Sequence, residues 1–470
     1  MTLLRTIRAG RTAALGALAI AGLLSACDTT VTSPDVLAAN KLKGAAALPT
    51  QLAGAYGDFA QAYLGSGYAG VIDAQAEEGQ IVVSGLLTDE MKESDFFTNH
   101  LQIDLRAQSR DNETLDDLWY LLQGAREASE LTAANYVTYD STNVGRLTVL
   151  NLAGFSDVLL AESFCSNIPL SSTNIGTGKV QYAPPVSTDS VLRVAKAHFL
   201  QVIALAATDT PAYAAQYEGL RATVGLARAL TFEGKLDSAA TVAHLVPDGY
   251  ADSIERSVNS PGEQNGVYYY TNIEVRYSVV SSEGGNGLPF LIDGANGDPR
   301  INIGAPNIST LIGYDDFTVD TIQQKFPAYG STGQLATATE ARLIEAEYAI
   351  QTGSYGSALT LLNQARQDAS PGMAPLASIP HSFASAIDTL FAERAYDLWL
   401  TGHREGDLRR LVRPTSGTLP GYGRDQSTVW PTGAYFKNGT YGTNVTLLIP
   451  RNEDNNPFYT DAGCQGGNTP

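Results

Sequence analysis

The chain has 470 residues, 44% of them apolar, and a formal net charge of −19. That composition can bury a sizeable core, and the length allows two subdomains or one large helical domain with insertions. An acidic excess of this size argues against nucleic acid and anionic lipid as partners and suits a neutral or cationic ligand, or a basic partner surface.

At the N-terminus, Arg5, Arg8 and Arg11 are followed by an apolar run from Thr12 to Leu23 and then by Leu24-Ser25-Ala26-Cys27. A basic start, a short apolar stretch and small residues before a cut make a secretory signal peptide. The run is too short for an ordinary membrane-spanning helix. A Cys directly after Leu-x-Ala resembles the bacterial lipobox. That resemblance implies removal of residues 1–26 and acylation of Cys27, through its thiol by diacylglycerol and at its amine by a further chain such as palmitate. Several chains on one residue anchor stably, because each buried methylene contributes about 0.8 kcal/mol. Loss of the three arginines takes the charge from −19 to −22.

Residues 27–45 read as the lipidated Cys and its spacer, with a polar tether from Asp28 to Pro34. Residues 46–470 read as the folded domain, with no second stretch of membrane-spanning length. Ala46 to Leu64 repeats at helical spacing, with Leu52, Ala55, Tyr56, Phe59 and Tyr63 on one face. Leu101 to Ala134 carries Leu105, Leu115, Leu118, Trp119, Leu122, Ala125 and Ala128 in a second amphipathic pattern. Val144 to Phe164 and Ser190 to Ala207 are also expected to be helical, the latter capped at Asp189-Ser190.

Leu226–Ala239 and Glu345–Ala358 share a spacing: Ala, then Gly seven residues later, then Ala five beyond (Ala227, Gly234 and Ala239; Ala346, Gly353 and Ala358). Small Ala lets helices approach, and Gly suits the turn between them. The pattern resembles the tetratricopeptide helix pair, or equally two ordinary helical hairpins. The repeats are too far apart for one continuous solenoid. Between them, about 247–336 is rich in Gly, Asn, Asp and Tyr, with Tyr268-Tyr269-Tyr270, Ile273-Glu274-Val275 and Tyr277 to Val280. It reads as loops and short strands. A second irregular tract is expected over 414–470. Long irregular stretches are where binding surfaces are built.

Chemical signatures are sparse. His-Glu-x-x-His, Cys-x-x-Cys and Gly-x-Ser-x-Gly do not occur, which removes the commonest zinc-hydrolase and serine-hydrolase patterns. Gly176-Thr177-Gly178-Lys179 lacks the rest of a phosphate loop. Asp293 to Asp298 offers oxygens to calcium, yet no bidentate Glu follows at EF-hand spacing, so it reads better as a tight turn. Beyond Cys27, Cys165 and Cys464 remain in an exported chain and are expected to form a disulfide; the alternative is one buried and one exposed thiol. The chain holds 23 Tyr, 14 Phe and 3 Trp, and sugar rings stack their C–H faces on such side chains. Aromatics in the irregular tracts are the candidates for ligand contact: Tyr268, Tyr269, Tyr270, Tyr314, Phe317 and Trp430.

The stretch Thr339 to Arg413 resembles the C-terminal half of the SusD/RagB family of nutrient-uptake lipoproteins. It contains Glu340-Ala341-Arg342-Leu343-Ile344-Glu345-Ala346-Glu347, Leu362-Asn363-Gln364-Ala365-Arg366, and Glu393-Arg394 through Gly402-His403-Arg404 to Asp407-Leu408-Arg409-Arg410. Asp298-Pro299-Arg300, Pro450-Arg451-Asn452-Glu453 and Asn456-Pro457 extend the likeness. Thr401 and Glu405 depart from the family pattern. Glu393, Arg394, Asp397, Arg404 and Asp407 stand at spacings that favour ion pairs and helix caps, a structural role.

The resemblance implies a mostly α-helical fold of tetratricopeptide-like pairs, with an irregular ligand-binding face. It implies an outer-membrane lipoprotein without catalytic residues. It would capture oligosaccharide or peptide and pass it to a SusC-like, TonB-dependent transporter barrel. The competing readings are a lipid-anchored glycoside hydrolase and a periplasmic repeat scaffold.

Overall fold

The computed structural model describes residues 43–67, 77–174, 179–208, 213–282, 284, 286–304 and 311–460. The signal peptide, Cys27, Cys464 and most of the phosphate-loop fragment lie outside them. From Leu48 onward the chain forms one unit, and its described residues hold fourteen α-helices and eight short strands. The fold is mostly α.

The helices are α1 Leu48–Leu64, α2 Gly79–Leu87, α3 Thr98–Asp104, α4 Glu113–Tyr139, α5 Gly145–Ser163, α6 Thr188–Thr208, α7 Tyr213–Phe232, α8 Leu236–Ala243, α9 Gly266–Tyr268, α10 Phe290–Ala295, α11 Ala338–Gln351, α12 Tyr355–Ala369, α13 Phe383–Asp397 and α14 Arg404–Val412. Helices α4 to α8 pack in succession; α8 then meets α11, and α11 meets α12 and α13. The two Gly-centred spacings mark helix pairs. Gly234 (φ 76°) turns α7 into α8, and Gly353 (φ 74°) turns α11 into α12. These left-handed conformations cost glycine nothing. Ala227, Ala239, Ala346 and Ala358 are fully buried where the paired helices meet.

Helix α5 is buried on all sides, as an element surrounded by helices must be. Phe199 of α6 locks it to α7. A Cβ at Gly154 of α5 would stand 2.7 Å from the Phe199 ring, and one at Gly225 of α7 would stand 2.4 Å from it. By length and composition α6 would suffice to cross a membrane, which the sequence reading did not anticipate. Its apolar stripe of Val191, Leu192, Ala195, Phe199 and Val202 is instead buried in the fold.

The expected single helix from Leu101 to Ala134 is two. Arg106 takes a left-handed φ of 58°, and its guanidinium donates to the carbonyls of Asn444 and Pro431. Asn112 then caps α4 by accepting from the Leu115 amide. Helix α6 starts before the expected cap. The Ser187 hydroxyl accepts from the Ser190 amide, and Asp189 pairs one turn on with Arg193. Tyr268 to Tyr270 are helical, running from α9 into a π-turn at Tyr269–Ile273. Val275 has φ 55°, so no strand forms at 273–275.

The strands are β1 Met91–Glu93, β2 Ile168–Pro169, β3 Ser172–Asn174, β4 Lys179–Gln181, β5 Pro185–Val186, β6 Ala251–Ile254, β7 Tyr277–Val279 and β8 Gly333–Thr337. They form antiparallel pairs β1–β7, β2–β5, β3–β4 and β6–β8.

The family-like stretch has a structural role, and most of its ion pairs are tertiary. Arg404 forks onto Asp89 at 2.9 and 3.1 Å. Arg300 reaches Glu393 at 2.8 Å and Asp397 at 2.9 Å and is aligned by its neighbour Asp298. Only Arg394–Asp407 and Asp407–Arg410 close within the α13–α14 hairpin. Arg409 donates to the carbonyls of Ala161, Glu162 and Phe164 at the end of α5. Arg413 donates to Phe232 O at the end of α7. Carbonyls at a helix C-terminus lack helical partners, and guanidinium groups supply them.

Asp293 and Asp298, the candidate calcium ligands, have side-chain partners of their own. Asp293 accepts from the Tyr396 hydroxyl, and Asp298 holds Arg300.

Candidate functional site

One cluster of exposed aromatic rings and a guanidinium is assembled from three separate pieces of chain. The first is the turn after β1. Asp95 Oδ1 accepts from the Phe97 amide at 2.9 Å, and this Asx turn carries Phe96 and Phe97, which are 66% and 37% exposed. The second is the segment leading into β7, which carries Arg276. The third is a small hairpin closed by the Ile312–Val319 bridge. It carries Tyr314, 41% exposed, and Phe317, 72% exposed.

The hairpin is fastened to the other two pieces by backbone. The Tyr314 amide donates to Val275 O at 3.0 Å, and the Asp315 amide donates to Ser94 O at 3.0 Å. Gly313 is required for this approach, because a Cβ there would lie 2.5 Å from Ser94 O. Asp315 shapes the tip by accepting from the Phe317 and Thr318 amides at 2.9 and 2.7 Å and from the Thr318 hydroxyl at 2.6 Å. It also pairs with Lys437 at 2.7 Å. Partial burial works against its charge, but these partners outweigh burial and hold its carboxyl down at about 2.

The rings touch one another. Phe96 lies 5.0 Å from Phe97 and 5.4 Å from Tyr314, and Phe97 lies 6.1 Å from Tyr314, centroid to centroid. The Arg276 guanidinium carbon is 4.5 Å from the Phe97 ring and 4.6 Å from the Tyr314 ring. Glu274 pairs with it at 3.1 Å. Beneath the platform, His100 bonds Asp95 through Nδ1 at 2.6 Å and Glu78 through Nε2 at 2.9 Å. Burial alone would lower the His100 value; its hydrogen bonds to Asp95 and Glu78 prevail and push it up to about 9. His100 is therefore a buried cation at neutral pH, with its ring 5.6 Å from Phe97.

Of the residues singled out from sequence, Tyr314 belongs to this ring cluster, and Phe317 stands exposed three residues further along the same hairpin. Tyr270 is buried beneath it, 5.8 Å from the Arg276 guanidinium. Tyr269 is buried edge-on against Tyr270. Tyr268 packs edge-on against Tyr329. Trp430 has no exposed surface and lies under the Arg106 guanidinium. A ring enclosed on both faces offers none to a ligand, so Trp430, Tyr269 and Tyr270 are core residues. Phe96 and Phe97 were missed. Their signal is present in Ser94-Asp95-Phe96-Phe97-Thr98, where two adjacent bulky rings stand in a polar turn.

A separate cleft of about 600 Å³ lies along α1, lined by Leu52, Ala53, Tyr56, Ala60 and Arg256 among others. Tyr56 is its single aromatic residue, and the Tyr56 hydroxyl already accepts from the Glu255 amide. Exposed rings in mutual contact are the better receptor for a sugar face.

Neither a family model nor a curated protein matches the sequence. Solved structures do match. A surface glycan-binding protein A from Bacteroides uniformis superposes with a TM-score of 0.62 at 16% identity, covering 88% of this chain and 98% of that one. A SusD superfamily protein from Parabacteroides distasonis gives 0.61 at 13% identity, over 90% and 99%. One from Bacteroides vulgatus gives 0.59 at 15% identity, over 90% and 98%. The chain has the SusD-like fold over nearly its whole length.

Proposed function

We propose that this chain is a SusD/RagB-type surface lipoprotein that binds a glycan on the Phe96–Phe97–Tyr314–Phe317 platform. The ring cluster carries the reading: Phe96, Phe97 and Tyr314, in mutual contact and exposed, with the exposed Phe317 on the same hairpin as Tyr314, form a stacking surface on two segments, and the Arg276 guanidinium from a third is set between Phe97 and Tyr314. The SusD-like fold supports it, as do the descriptions of structural neighbours as glycan-binding, carbohydrate-binding and sugar-binding proteins. The acidic surface suits a neutral saccharide. We read the protein as a binder and not a hydrolase. Incubation with a glycan panel is expected to give retardation in a glycan gel with the saccharide chain length unchanged. Shortened products would make it an enzyme, and selective capture of peptides would replace the glycan as ligand.

In this reading Cys27 carries the lipid at the outer membrane, and the bound glycan passes to a TonB-dependent barrel. Cys27→Ser is expected to free the protein from the membrane or leave it unprocessed. Cys165 is disulfide-bonded. We assign Cys464 as its partner because Asn167, two residues after Cys165, donates to the carbonyl of Thr460, four residues before Cys464 in sequence. Mass spectrometry of the non-reduced protein tests that pairing.

A further inference from the structure

Away from the platform, three successive helices each direct one metal-binding side chain to a common point. These are Glu130 of α4, Asp157 of α5 and His198 of α6, and their donor atoms all lie within 4.8 Å of one another. His198 Nε2 stands 3.5 Å from Glu130 Oε1 and 3.8 Å from Asp157 Oδ2. Both distances are long for a hydrogen bond.

The Asp157 side chain has no exposed surface, and neither of its oxygens has a hydrogen-bond partner. His198 Nε2 likewise has none. A buried carboxylate without a partner is costly and needs a cation or a proton. Arg126, the neighbouring cation, directs its donors elsewhere. Its Nε goes to Gln123, its Nη1 to Glu130 Oε2 at 2.8 Å, and its Nη2 to Ser171 O. That leaves Asp157 Oδ1 and Oδ2, Glu130 Oε1 and His198 Nε2 facing one spot.

We propose that Glu130, Asp157 and His198 form a zinc site that ties α4, α5 and α6 together. Zinc takes imidazole nitrogen and carboxylate oxygen at roughly 2.0–2.1 Å, so two ligands of a tetrahedral ion stand about 3.3 Å apart. The separations from His198 Nε2 approach that edge, and a small inward rotation of His198 closes them. An octahedral magnesium ion needs edges near 3 Å and prefers oxygen and water, while calcium wants six to eight oxygens, which an imidazole does not supply. Three protein ligands leave the fourth position to water. The ion enters past Glu130 and His198, whose side chains are 30% and 17% exposed, with Asp157 as the floor. No short-range sequence motif announces such a site, because each ligand comes from a different helix.

The test uses full-length mature protein, stripped with a chelator and titrated with ZnCl2 or CoCl2. One equivalent of zinc is expected to bind and to raise the thermal midpoint. Calcium and magnesium at the same concentration leave the midpoint unmoved. Cobalt is expected to show the strong visible absorption of a four-coordinate ion. Asp157→Asn and His198→Gln are each expected to weaken zinc binding by more than the roughly 10–100-fold that loss of an outer-shell partner costs. If the buried Asp157 variant fails to fold, His198→Gln at the half-open edge decides. Zinc that does not bind, or binds His198→Gln as tightly as the parent, overturns the assignment. So does zinc lost on changing the exposed His244 instead.

Discussion

The guanidinium carbon of Arg276 lies 4.6 Å from the centre of the Tyr314 ring, against its face. Arg276 precedes β7, Tyr314 sits on the hairpin that follows, and Phe97 closes on the same guanidinium from the turn after β1. A cation held against two rings fixes their spacing, since each such contact contributes roughly 0.5–1 kcal/mol where partly exposed. The platform is thus organised before a ligand arrives, and that lowers the entropy cost of binding.

Asp315 is the residue that shapes this platform without forming part of its face. It gathers the Phe317 amide, the Thr318 amide and hydroxyl, and Lys437. Asp315→Ala is expected to release the hairpin tip and weaken glycan binding several-fold, while the far-ultraviolet circular dichroism stays helical. Asp315→Asn keeps part of the amide capping and is expected to fall between. Parent-like affinity for Asp315→Ala would show that the tip does not need this clasp.

Gly225 marks the helix spacing. Any Cβ there meets the Phe199 ring, and Phe199 is fully buried with no room to retreat. Gly225→Ala is expected to destabilise the fold by about 1–3 kcal/mol through overpacking. Chemical denaturation measures it. Gly225→Ala combined with Phe199→Leu is expected to recover part of the loss, as coupling at a shared contact requires.

His100 makes stability depend on pH. Its folded value, about 9, lies above its ordinary 6.5. A raised value means that the native state binds the proton more tightly, so the contribution is complete below about 6.5 and is lost as pH rises through about 9. The size is on the order of 3 kcal/mol. Denaturant titrations between pH 6 and 10 are expected to show the parent losing its advantage over His100→Gln across that window. A constant difference over the whole range would rule out the charged ring.

Much of the scaffold was legible in the chain. The Ala–Gly–Ala spacings located two helix pairs because packing distance and turn geometry act over a few residues. The tertiary role of Arg404 was not legible, since its partner Asp89 is 315 residues earlier. The break before α4 was hidden for the same reason: Arg106 leaves the helix to meet carbonyls near the other end of the sequence. Aromatic composition pointed to a stacking surface but did not separate core rings from exposed ones. Trp430 and Tyr314 both stand in irregular tracts with one Gly close by, yet one is enclosed and the other is open. That difference is made by long-range packing alone.

The most direct test is calorimetry with the tightest glycan from the panel, comparing the parent with Phe96→Ala/Phe97→Ala/Tyr314→Ala and with Tyr56→Ala in the α1 cleft. Each lost stacking partner costs about 0.5–1.5 kcal/mol, so the triple variant is expected to bind about tenfold more weakly or worse. Tyr56→Ala is expected to bind as the parent does. A folded triple variant with undiminished affinity would contradict the account, and a loss confined to Tyr56→Ala would move the site to the cleft.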